Sequence, residues 1–207
     1  MIRLDKHDSD DRFWVVTIDR PDKANSLTEA MLVELARIVE SAQESARVLV
    51  LTGAGEVFSA GADLEAARAG LATSAVWERL SAAIAGFPGL SIAALNGTVA
   101  GGAMGMVLAC DLRIAVPGAR AFYPVMKLGF LPQPSDPKRL MALVGPARAK
   151  MILMGGQKID HDEAILWGLY DRIAAPDALI ETAHDIAADV LSADYLHSAT
   201  IKGMCRG

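Results

Sequence analysis

A chain of 207 residues, 52% of them hydrophobic, has material for one sizeable core. Its formal charge of -5 at pH 7 argues against a basic face for nucleic acid or an anionic membrane, and its two cysteines make neither a disulfide framework nor a metal pattern. The opening MIRLDKHDSDD is acidic and lacks an apolar signal core, so the expected location is cytoplasmic, with no nucleic-acid or membrane partner.

Residues 2–4 and 13–18 read as strands around a polar, Asp-rich turn. RPDKAN at 20–25 is a second turn. Ser26 or Thr28 then caps a helix whose apolar stripe is Met31, Leu32, Leu35, Ile38 and Val39. Residues 47–51 are a short buried strand of the parallel kind, ending in TGAG. VFSAGADL at 57–64 is a small-residue turn leading into a short helix, with Asp63 as its N-cap. Ser59 lacks the preceding glycine of a nucleophile elbow and is discounted as a nucleophile. A helix over about 73–85 follows.

The stretch 91–116, SIAALNGTVAGGAMGMVLACDLRIAV, reads as strand, glycine turn, buried helix, strand. Its run of uncharged residues is long enough to span a bilayer, but Asn96, Thr98 and the glycines favour a buried soluble segment. The first N–H groups of a helix have no partner within it, and glycines let other groups approach the backbone there. Such an N–H, at the positive end of the helix dipole, suits an oxygen that gains negative charge during a reaction. The plainer alternative is tight packing of a helix on a sheet. Residues 121–124 are extended, and two helices over 138–144 and 146–154 flank Gly145. Asp160 caps a helix that Gly168 closes, residues 169–174 return as a strand, and 177–190 and 193–204 are helical. No sequence repeat is evident.

Four segments taken in this order resemble the enoyl-CoA hydratase/isomerase, or crotonase, superfamily: RPDKANSL at 20–27, VLVLTGAGEVFSAGADL at 48–64, the central stretch, and PVMKLGFLP at 124–132. The spacing of LVGPARAKMILMGGQKIDHDEAILWGLYDRI at 143–173 agrees. The resemblance implies an α/β fold of repeated ββα turns wound into a spiral, of the ClpP/crotonase type. It divides the chain into a core over 1–175 and a shortened C-terminal helical region over 176–207. It also implies a homotrimer or dimer of trimers acting on acyl-CoA, with no cofactor other than the coenzyme A of the substrate and no metal. Carried over by position, the two backbone oxyanion donors fall on Ala60 and Gly102. The CoA-contacting turns fall on Lys23 and Ala24 and on Ala60, Gly61, Ala62, Asp63 and Leu64.

The departures are chemical. The positions at which hydratases of the family carry glutamates are Gly105 and Val125, and a third position that carries Asp or Tyr in other members is Gln133. An amide orients water or a carbonyl but exchanges no proton near neutral pH. The groups left for acid/base work are Tyr123, Asp63 and Asp136; Tyr123 is equally a packing residue, and Asp136 reads as a cap for the following helix. His7, His161, His184 and His197 fall outside the matched loops. The expected function is enolate stabilisation on an acyl-CoA thioester. Hydration or isomerisation is suggested by the family, decarboxylation or hydrolysis by the residues present. The alternative is a catalytically silent CoA-binding or scaffold protein of the same fold.

Overall fold

In a computed structural model that describes residues 1–205, β1 (Ile2–His7) and β2 (Asp10–Ile18) form an antiparallel hairpin with Ile2 opposite Ile18. The second half of β2 is buried on both faces, as its β-branched and aromatic run requires. α1 (Glu29–Ser45) starts at Thr28, whose hydroxyl accepts the Met31 N–H at 3.4 Å. It buries Met31, Leu32, Leu35, Ala36, Val39 and Ala42, the helical spacing seen in the sequence.

Three turns of one unit follow. In the first, β3 (Val48–Gly53) leads to β4 (Val57–Ser59), then to α2 (Leu64–Arg68) and α3 (Val76–Gly86). In the second, β5 (Leu90–Leu95) leads to β6 (Thr98–Ala100) and α4 (Ala103–Ala109). In the third, β7 (Leu112–Ala115) leads to β8 (Ala121–Phe122), α5 (Val125–Leu128) and α6 (Asp136–Leu153). The first strand of each turn extends a six-stranded sheet of order β1-β2-β3-β5-β7-β9, closed by β9 (Arg172–Ile173); the second joins a three-stranded sheet, β4-β6-β8. Every pairing between these strands after the first hairpin is parallel, and one isolated antiparallel bridge joins Ala121 of β8 to Ile159. A ββα repeat is therefore present in three dimensions where none is evident in the sequence.

α1, α3, α4 and α6 pack in succession along one flank. α7 (His161–Trp167) is capped by Asp160, whose carboxylate accepts the Glu163 N–H at 2.9 Å. α8 (Leu179–Ser192) lies against β2, β3, β5 and β7 and buries Leu179, Ala183, Ala187 and Leu191. α9 (Tyr195–Met204) is pinned by Lys202, whose Nζ donates to Asp111 at 2.6 Å and to the Gly89 carbonyl at 2.7 Å. Gly145, at φ 79°, breaks α6 into two helices and places Pro146 at the first turn of the second. No helix among the described residues is long and apolar enough to cross a membrane.

The structure revises several expected boundaries. β4 and β6 lie in stretches read as turns, because three-residue strands are too short to show a period of two. α5, a single helical turn, lies between the extended segment 121–124 and the helix expected from 138. The strand expected over 169–174 contracts to β9, since only Arg172 and Ile173 pair with β7.

Candidate functional site

The site is built where loops from successive turns meet, and Asn25 fastens the first two. It is wholly buried and holds φ at 54°, a left-handed conformation that asparagine tolerates. Its Oδ1 accepts the Arg20 N–H at 2.8 Å, and its Nδ2 donates to the carbonyls of Ala54 and Val57 at 2.8 and 2.6 Å. Its own carbonyl accepts the Ser59 hydroxyl at 2.8 Å. Both capacities of the buried amide are thus satisfied, as burial demands.

This fastening fixes which backbone donors remain for a ligand. The Ala60 N–H donates to the Ala24 carbonyl at 2.9 Å, and the Gly61 N–H to the Ser59 hydroxyl at 3.1 Å. Ala60 is therefore not an available oxyanion donor, contrary to the expectation from position. Leu27 donates to the Gly61 carbonyl at 2.8 Å and Asp63 to the Leu27 carbonyl at 2.9 Å, which leaves Ala62 between them. Among the described residues the Ala62 N–H has no acceptor. The bound hydroxyl of Ser59 is structural, in keeping with its dismissal as a nucleophile.

The other donor stands at the start of α4. Gly101, at φ +57°, donates its N–H to the Phe122 carbonyl at 3.1 Å, whereas the N–H of Gly102 has no acceptor among the described residues. Gly61 lies directly against this turn at φ +91°, and a Cβ on it would fall 2.8 Å from the Ala100 carbonyl oxygen and 3.4 Å from the Gly102 nitrogen. Glycine is required there by both conformation and close approach. A Cβ on Gly102 would fall 3.1 Å from the Trp77 ring.

Ala62 and Gly102 line one cavity of about 700 Å³ whose walls include Leu64, Trp77, Phe122, Val125, Leu128 and Phe130. Ala24, Ala60, Tyr123 and Gln133 also reach it. A second cavity of about 530 Å³ shares Ala60, Ala62, Leu64 and Arg68 with the first and is rimmed by Arg20, Lys23, Asp63 and Glu65. An apolar chamber thus adjoins a charged mouth. Every candidate CoA contact lines one of the two cavities except Gly61, which packs behind them against the turn that carries Gly102.

Asp63 sits at the mouth as the N-cap of α2, accepting the N–H groups of Glu65 and Ala66 at 3.1 and 3.3 Å. Its other oxygen takes the Arg20 guanidinium at 2.9 Å. The hydrogen bond from Arg20, supported by the two backbone donors, holds its carboxyl below the usual carboxylate range. An acid so stabilised in its charged form is poorly suited to donating a proton. The cap reading of Asp63 fits this geometry.

Asp136 differs from its expected role. Ser135 precedes α6 with no side-chain capping bond, and Asp136 turns inward instead, fully buried. Its Oδ2 accepts the Tyr123 hydroxyl at 2.8 Å, while Oδ1 is buried without a partner among the described residues. A Cβ on Gly105 would meet Oδ1 at 2.9 Å, so this carboxylate fills the space left beside α4 by the glycine. Burial pushes the Asp136 carboxyl up to about 6, opposed by the Tyr123 hydrogen bond and the charge of Arg139 and reinforced by Glu78. Burial first, then the charge of Asp136, also raises the Tyr123 phenol. The Gln133 N–H approaches the Tyr123 oxygen at 3.4 Å, and the Gln133 amide donates to the Ala72 carbonyl at 3.4 Å.

The histidines lie elsewhere. His7 and His184 stack at 4.2 Å near Ser9, and His161 accepts the Gly118 N–H at 3.2 Å. Among the described residues two groups could reach a common ion, Asp160–His161–Asp162 and Glu181–His184–Asp185, but neither lines the cavity.

Comparison with known proteins agrees with the architecture. The family model for enoyl-CoA hydratase/isomerase matches residues 9–206. The chain is 33% identical over 203 residues to the carnitinyl-CoA dehydratase of Citrobacter koseri, covering 92% of this chain and 76% of that one. It is 35% identical over 190 residues to the short-chain-enoyl-CoA hydratase of Clostridium acetobutylicum, covering 86% and 71%. The crystal structure of an enoyl-CoA hydratase from Bacillus anthracis superposes with a TM-score of 0.90 at 32% identity, covering 98% of this chain and 81% of that one. The family match along nearly the whole chain, joined to the same crotonase-type spiral of ββα turns, makes this protein a member of the enoyl-CoA hydratase/isomerase family.

Proposed function

We propose that the protein acts on an acyl-CoA thioester and stabilises an enolate with the main-chain N–H groups of Ala62 and Gly102. The supporting observation is that two backbone donors without acceptors among the described residues line one largely apolar cavity. The thioester oxygen becomes negative as the enolate forms, and donors already in place need no reorganisation at that moment. The acyl chain occupies the apolar chamber, while Lys23 and Arg68 at the mouth face the phosphates of coenzyme A. Gln133 orients a water or a substrate carbonyl from the chamber wall. No cofactor beyond the coenzyme A of the substrate enters this reading, and the assembly is a homotrimer or a dimer of trimers.

The test is turnover of a panel of enoyl-, malonyl- and β-ketoacyl-CoA substrates by the purified protein, with thermal shift by CoA and acyl-CoA alongside. Turnover of at least one thioester, with stabilisation by acyl-CoA, is the expected result. Stabilisation without turnover would instead mark a silent CoA-binding protein. No stabilisation by either ligand would remove the acyl-CoA reading altogether.

A further inference from the structure

Among the described side chains that line the cavity, Tyr123 alone is hydrogen-bonded to a carboxylate. That carboxylate, Asp136, has one oxygen on the phenol and the other buried with no partner among the described residues, at 0% exposure. A buried carboxylate left half-satisfied is a liability in a purely structural role. These atoms run inward from a residue of the cavity wall: Tyr123 oxygen, its proton, Asp136 Oδ2, with Oδ1 left to accept a hydrogen.

We propose that Tyr123 and Asp136 form a proton-transfer pair for the hydrogen on the carbon adjacent to the thioester carbonyl, Tyr123 as the catalytic residue and Asp136 acting through it. The proposal rests on the thioester being held at Ala62 and Gly102. In the forward step the Cα–H bond breaks and its proton joins the Tyr123 oxygen as the phenolic proton passes to Asp136. The electron pair of the broken bond forms the enolate C=C bond, and the charge moves to the thioester oxygen. Reversal returns a proton to Cα, or to the γ-carbon of an unsaturated chain, so no oxidant or second substrate is needed. The substrate class is an acyl-CoA with a hydrogen on Cα, and the activity is α-hydrogen exchange, with double-bond migration or epimerisation as its productive forms.

The surroundings suit this role. Asp136 faces Tyr123 beyond β8, Glu78 on α3, Arg139 within α6, and Gly105 on α4. Ionised near neutral pH, the carboxylate can receive the phenolic proton. The raised phenol has little tendency to stay ionised, so its proton is replaced as it leaves.

The experiment is deuterium incorporation at Cα of butyryl-CoA in D2O, followed by mass spectrometry from about pH 5 to about pH 8, with butyryl-CoA binding measured separately. The wild type is expected to exchange, with a rate that rises with pH and levels off above about 6. Asp136→Asn and Tyr123→Phe are each expected to bind butyryl-CoA as before, to lose roughly 100-fold or more in rate, and to lose the pH break. An Asp136→Asn variant that keeps both the rate and the break would overturn the pair, and Tyr123→Phe decides the matter if Asp136→Asn does not fold. Wild type that binds butyryl-CoA without exchanging it overturns the pair and leaves thioester binding intact. Wild type that does not bind it overturns both. Loss of exchange in Gly102→Pro but not in Asp136→Asn or Tyr123→Phe keeps the oxyanion site and rejects the pair.

Discussion

Gly105 and Asp136 share one volume: a Cβ on the glycine would stand 2.9 Å from Oδ1 and 3.2 Å from Oδ2 of the carboxylate. The acid that enters from the start of α6 is accommodated only because α4 offers no side chain at that point. The Ser81 hydroxyl stands 3.1 Å from the same Cβ position.

Gly105→Ala is therefore expected to lower stability by about 1 to 3 kcal/mol through overpacking, although alanine is the better helix former. In an Asp136→Ala background the same change should be neutral or stabilising by up to about 1 kcal/mol. Urea denaturation of the four proteins measures the coupling. Equal effects in the two backgrounds would mean that the carboxylate does not compete for the space.

Asp136 also sets a pH dependence of stability. Its carboxyl is raised from 3.8 to about 6 on folding, so between these values the native protein holds a proton that the unfolded chain releases. Stability from this group is fully present below about pH 4 and falls as pH rises to about 6, the reverse of an ion-paired aspartate. The offset corresponds to a loss of about 3 kcal/mol, and Asp136→Asn is expected to abolish it. Denaturant titrations of both proteins across this window, compared by difference, check the sign.

Gly102→Pro removes a donor N–H at a position whose φ of -59° suits proline. Because any Cβ there crowds Trp77, Gly102→Ala is the matched control that keeps the N–H. The proline variant should lose about 2.7 to 4 kcal/mol of transition-state stabilisation relative to the alanine variant, read as a fall in kcat at comparable melting temperature. Equal rates in the two would place the oxyanion site elsewhere.

Asp63→Asn retains a capping side chain for α2 and removes the charge paired with Arg20. A lower melting temperature with little change in rate is expected. The stabilising effect of the aspartate is present above the ordinary carboxylate range and lost as pH falls through its depressed folded value, so the two proteins should converge in acid. A large loss of rate at unchanged melting would make Asp63 part of the chemistry.

Long periodic or strongly signalled elements were legible in the sequence. The stripe of α1, the Asp160 and Asp63 caps, the break at Gly145 and the buried strand β5 all follow from local pattern. The small sheet was not, because β4, β6 and β8 hold only two or three residues each and exist through pairing with one another. The site divides in the same way. Gly102 could be proposed from a glycine turn before a helix, but the choice between Ala60 and Ala62 depends on which N–H the Ala24 carbonyl accepts. The inward turn of Asp136 had no local signal, since an acid at a helix start reads as a cap until the partner hydroxyl of Tyr123 is seen.

The site loops are stitched turn to turn: Ala60 to Ala24, Leu27 to Gly61, Gly101 to Phe122. Each stitch joins segments far apart in the chain, and closure of such loops comes late and slowly during folding. Helices can therefore form, and the hairpin zip, well before the chamber exists. On refolding from denaturant, recovery of acyl-CoA binding should lag behind recovery of the far-ultraviolet circular dichroism, and mutations that loosen Asn25 should widen that delay.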